Sequence, residues 1–219
     1  MNAAIIQLLV LAGIALFLVL RLRNVLGTRD GYEPPLERSA PASNGRAHDF
    51  EVIEGGPDPD IADHVDPDSR AGEALAAMKR VEPEFSLGEF LGGARQAYEM
   101  ILMAYEGGDL ETLGRFLSRD VFDSFAEAID ERQAKGLTVD ARFEGVRELT
   151  VKDAMFDTAN NEAEVTVRFV GELTSIVRDA EGEIVEGDPQ RPKSQTDIWT
   201  FARIMGSDDP NWELVATGE

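Results

Sequence analysis

The chain has 219 residues, with 42 acidic against 21 basic side chains and a formal net charge of −21. Such a surface repels phosphate, which argues against a nucleic-acid partner and against electrostatic docking on anionic lipid. Cysteine is absent, so disulfides, thiolate metal sites and cysteine nucleophiles are excluded.

The run Ala3–Leu20 carries no charged residue and one amide, Gln7. As a helix it extends about 27 Å, close to the hydrocarbon thickness of a bilayer. Residues 1–27 therefore read as a single-pass anchor, with Ile5, Leu8, Leu11, Leu16, Phe17 and Leu20 toward lipid. No basic residue precedes the run, while Arg21, Arg23 and Arg29 follow it. Basic flanks stay on the cytoplasmic side, so the amino end is expected outside and the rest of the chain in the cytoplasm. A cleaved signal peptide would carry its charge before the run and small residues after it, the reverse of what stands here.

Residues 28–67 are rich in Pro, Gly, Asp and Glu and poor in large apolar side chains, as in Pro34-Pro35 and Asp58-Pro59-Asp60. This composition predicts a disordered acidic linker. The cluster Asp58, Asp60, Asp63, Asp66 and Asp68 with His64 lacks the calcium-loop pattern, so no metal or other cofactor is expected. Over 68–82, Asp68 is placed to cap a linker helix with Ala71, Ala74, Leu75 and Met78 on one stripe.

The soluble domain is expected over 83–219. Ser86 and Glu89 form a capping box, with Phe85 before it as a staple. Leu87, Phe90, Leu91, Ala94, Tyr98, Ile101, Leu102 and Tyr105 then recur at helical spacing until Gly107-Gly108. Asp109 caps a short helix. Ser118 opens another, with Phe122, Phe125 and Ile129 in its stripe and Gly136 as its stop. Beyond Gly136 the period becomes alternating. Strands are predicted around Val139–Phe143, Leu149–Phe156, Ala163–Leu173, Thr196–Ile204 and Asn211–Thr217, with turns at Thr158–Asn161 and Asp179–Gly182. Helices followed by an antiparallel meander predict an α+β domain. Its helices should close one side of a curved sheet, with Trp199, Phe201 and Trp212 as the large residues of a pocket wall or its packing.

Pro83-Glu84-Phe85, Phe90–Tyr98 and Gly108-Asp109-Leu110, with the ending Trp199–Arg203 and Asn211–Leu214, resemble the Tim-44-like domain in order and spacing. The resemblance implies a cone of the nuclear transport factor 2 type, as in the family's members at the mitochondrial inner-membrane import channel. Bacterial relatives with a transmembrane anchor are the nearer comparison, which implies a bacterial inner-membrane location. It also implies an adaptor that tethers a protein partner, such as a translocase, a chaperone or a membrane complex, at that membrane. Phe90, Tyr98, Leu102, Phe125, Trp199, Phe201 and Trp212 are the candidate pocket or partner-binding residues. The basic amphipathic helices that dock the mitochondrial members on lipid are not evident here.

A pocket that binds lipid or a small molecule is the alternative, as is a cone-fold isomerase or dehydratase. Both histidines, His48 and His64, precede the domain, which leaves a carboxylate base, Asp153 or Asp197, with Tyr98 or Tyr105 as donor. Acidic residues on strands usually face water and core tyrosines usually pack, so the chain reads as a non-enzyme.

Overall fold

The computed structural model describes residues 56–218. The expected anchor and its flanking arginines therefore lie outside the described residues, as does the linker before Gly56. Among the described residues no helix is long and apolar enough to cross a membrane.

Ordered packing begins earlier than the composition predicts. Within the stretch read as linker, Pro59–Ala62 forms a short helix, α1, with Asp58 as its cap and Ile61 only 2% exposed. The acidic stretch does not stay solvated throughout, because Asp60 and Ile61 find partners far along the chain. Helix α2, Arg70–Val81, follows with Ser69 rather than Asp68 as its cap. Its Leu75 and Met78 are fully buried, so this helix is part of the core.

Helix α3, Leu87–Gly107, is the central helix. Ser86 Oγ accepts the Glu89 N–H, and Gly108 takes the left-handed conformation (φ 71°) that ends it. Asp109 caps α4, Leu110–Leu113, by accepting the Thr112 N–H. Ser118 precedes α5, Arg119–Ala134, without a side-chain cap bond. Arg132 of α5 donates to the carbonyls of Tyr105 and Glu106, satisfying the open C-terminus of α3.

The sheet is antiparallel. Strands β1 (Thr138–Asp157), β2 (Glu162–Arg178), β4 (Lys193–Ile204) and β5 (Glu213–Gly218) lie in the order β1-β2-β4-β5, and β3 (Ile184–Gly187) pairs with the end of β2. The two strands predicted between Val139 and Phe156 are one strand. Its register with β2 shifts at Phe143/Gly145, Val146/Glu148 and Val151/Asp153. Each bulge adds an unpaired residue and bends the strand, which bends the sheet.

Ala163, Val165, Val167, Phe169 and Leu173 are all buried on one face of β2, beside Trp199 and Phe201 of β4. Tyr98 of α3 lies flat on Phe169, with ring centroids 4.4 Å apart and planes 4° from parallel. Helices on one face of an antiparallel sheet make this an α+β domain.

Candidate functional site

The candidate site is a groove of about 380 Å³ beside the N-terminal half of α3. Its lining includes Phe85 and Phe90 on one side, Phe116 after α4, and Phe201, Arg203 and Trp212 from β4 and the segment leading to β5. Long-range main-chain pairing brings these stretches together. The Leu214 N–H donates to the Phe116 carbonyl at 2.7 Å, and the Ser118 N–H donates to the Leu214 carbonyl at 3.0 Å. Inside the groove Phe90 meets Trp212 at 4.7 Å and Phe201 edge-on at 6.0 Å. Trp212 is half-buried, so part of its ring remains available to a ligand, while Phe85, Phe90 and Phe201 are buried beneath it.

The lining also carries charge of both signs, Glu82, Glu84 and Glu89 with Arg115 and Arg203. Arg203 has a side chain only 8% exposed, although it belongs to a strongly acidic chain. Its guanidinium stands 5.3 Å from the Trp212 ring centroid. Nη2 donates to Glu82 Oε1 at 2.6 Å, Nη1 donates to the Pro210 carbonyl at 3.3 Å, and Nε is buried without an acceptor. Glu82 Oε2 accepts the Gly206 N–H at 3.0 Å. Burial by itself raises the Glu82 carboxyl, but Arg203 and the Gly206 amide outweigh it and hold the pKa below its ordinary value.

The side chains singled out from the sequence all belong to or pack against the core, and three of them also line this groove. Phe90, Phe201 and Trp212 line the groove. Tyr98, Leu102 and Trp199 are buried in the core, and Phe125 packs edge-on against Tyr105 at 5.0 Å. Phe116 and Arg115 also line the groove but carried no sequence signal, since the pairing that places Phe116 there is 98 positions away at Leu214.

The donor and carboxylate expected for a proton-transfer enzyme do meet. Tyr98 donates to Asp197 Oδ2 at 2.5 Å, and Gln195 Nε2 donates to the same oxygen at 2.8 Å. Burial, and then the Asp197 carboxylate, push the Tyr98 hydroxyl above its ordinary pKa, so it stays a donor. Neither residue lines the groove. This network joins α3 to the inner face of β4. Tyr98→Phe should lower stability by about 1 kcal/mol, because Asp197 keeps its bond from Gln195. The midpoint of urea unfolding measures that shift.

Asp153 has another role. Arg70 of α2 reaches its Oδ2 at 3.2 Å, with the two side chains 70% and 47% exposed. A pair this exposed contributes little, so Asp153→Asn should change unfolding free energy by less than about 0.5 kcal/mol. A urea titration at low salt tests this.

The family model for the Tim44-like domain matches residues 71–219. The chain belongs to the Tim44-like domain family. The human mitochondrial import inner membrane translocase subunit TIM44 is 25% identical over 146 residues, covering 65% of this chain and 32% of that protein. The Arabidopsis thaliana subunit TIM44-1 is 25% identical over 139 residues, covering 61% of this chain and 29% of that protein. This Tim44-like chain thus spans about a third of the length of the curated relatives it matches. Among solved structures, the intermembrane space region of chloroplast protein ARC6 superposes with a TM-score of 0.40 at 13% identity, covering 58% of this chain and 94% of that one. In this Tim44-like domain the matched region begins inside α2, whose buried Leu75 and Met78 belong to the same core as α3.

Proposed function

We propose that this protein is a membrane-held adaptor of the Tim44-like family. A single-pass anchor within residues 1–27 keeps the domain at a bacterial inner membrane, on its cytoplasmic side. There the groove captures a protein of the translocation or membrane-protein assembly machinery. The observation that carries this reading is the convergence of Phe85, Phe90, Phe116 and Trp212 on one concave surface next to Arg203. Aromatic side chains beside arginine, in a pocket open to solvent, are the composition of protein-binding hot spots. The relatives' names support the translocation setting. The apolar run Ala3–Leu20 followed by Arg21, Arg23 and Arg29 supports the anchor and its direction.

A photo-crosslinking residue at Asn211, on the groove lining, tests the proposal in intact membranes against a control at exposed Lys152 of β1. The expected result is a discrete protein adduct from position 211 alone, in material that resists carbonate extraction. It should persist in Asp153→Asn and Asp197→Asn variants, since no carboxylate chemistry is invoked. Failure to form a discrete adduct removes the capture reading, and release by carbonate removes the anchor. The groove volume also falls in the range of small-ligand sites. Lipid or a small molecule recovered by organic extraction of the purified protein would favour that second reading.

A further inference from the structure

Both walls of the groove are tied to one short piece of chain, the last turn of α2. On one side, Lys79 Nζ lies 2.7 Å from Asp58 Oδ2 and 2.8 Å from Asp60 Oδ2. Asp60 in turn accepts the Leu87 N–H at 2.7 Å and the Gly88 N–H at 2.9 Å, and its Oδ1 bonds Ser86 Oγ at 3.1 Å. These contacts fix the start of α3 and the residues before it, a stretch that carries the groove residues Phe85, Ser86, Glu89 and Phe90. On the other side, three positions after Lys79, Glu82 grips Arg203 and the Gly206 amide. Arg203 holds the Pro210 carbonyl and stands against Trp212.

We infer that α1 and the end of α2 act as a brace that sets the width of the groove, so that displacing this segment widens the site for its protein partner. The inference rests on the groove being the capture site. Lys79 and Glu82 lie within one helical turn and its cap, so a displacement of this turn slackens both ties. Arg203 also holds a buried Nε with no acceptor in this arrangement. An unpaired buried donor disfavours the braced arrangement, and a shift of Trp212 would expose it to an acceptor on the incoming chain. A partner that binds better to the widened groove thereby loosens α1, and a pull on the chain preceding α1 favours the widened groove.

The test reads Trp212 directly. Trp199 is 3% exposed, so acrylamide quenching of the protein's fluorescence reports mainly on Trp212. Glu82→Gln and Asp60→Asn should each raise the quenching constant by about twofold in the full chain, under conditions where all variants are folded. The double variant should fall short of the product of the two effects, because both act on one brace. Asp153→Asn breaks the Arg70 contact at the far end of α2 and should leave quenching unchanged. Folded Asp60→Asn protein with wild-type quenching overturns the inference, as does an equal response to Asp153→Asn. If quenching responds but no adduct forms at position 211, the brace stands and the capture reading fails. If an adduct forms but quenching does not respond, capture stands and the brace fails.

Discussion

Replacing Asp60 by alanine should destabilise the domain by about 2–3 kcal/mol, although the residue lies in a stretch whose composition reads as linker. One carboxylate there accepts two N–H groups from the first turn of a 21-residue helix and pairs with Lys79. It sits where the helix dipole favours negative charge. Removing it leaves the Leu87 and Gly88 amides without that acceptor and frees the segment carrying buried Ile61. For a domain of this size the loss corresponds to a fall in Tm of roughly 5–10 °C. Its pH dependence has a definite sign. Burial raises the Asp60 carboxyl, but Lys79 and the Gly88 and Leu87 amides together hold it well below the usual carboxylate range. The unfolded chain therefore binds the proton first, near pH 4. The stabilisation is complete above that pH and declines as the pH falls toward the folded value. The gap between wild type and Asp60→Ala should accordingly be constant from pH 5 to 8 and narrow in acid. Calorimetry across that range checks it. A constant gap down to pH 2.5 would show that the ionised carboxylate is not what holds the segment.

Gly171→Ala should cost about 3 kcal/mol, a large effect for a single methyl group. A Cβ at this position would stand 2.6 Å from Tyr98 Oη and 2.8 Å from its Cε1. The tyrosine has nowhere to go. Its ring is stacked on Phe169 and packed against Trp199 at 4.8 Å, and its hydroxyl is fixed to Asp197. Combining Gly171→Ala with Tyr98→Phe removes the closest of these contacts but keeps the next. The double variant should therefore be more stable than the sum of the single losses predicts, by about 1 kcal/mol. Chemical denaturation of the four proteins closes this cycle. Simple additivity would mean that the strand, not the tyrosine, absorbs the added methyl.

These two positions show why parts of the chain can be read from sequence and others cannot. The apolar stripe of α3, the Ser86 and Asp109 caps and the Gly108 stop are local signals, and each matches the structure. The buried face of β2 follows from strict alternation in the same way. Local patterns fail in β1, where each bulge resets the parity and makes one bent strand look like two. They fail at α1, because the partners of Asp60 lie 19 to 28 positions along the chain. Within the groove, Phe90, Phe201 and Trp212 draw attention as large aromatics. Phe116 is placed there by the Leu214 pairing, and Arg203 is recognisable as part of the site only once Glu82 is seen beside it.

The close approach of Gly171 to Tyr98 reaches beyond a single molecule. A descendant of this chain can acquire a side chain at position 171 only after the residue at 98 has shrunk, or in the same step. Across the family, aligned sequences should therefore pair a bulky ring at the helix position with glycine on the strand. Both positions should vary together where either varies, a pattern that a collection of genomes can check without a folded sample.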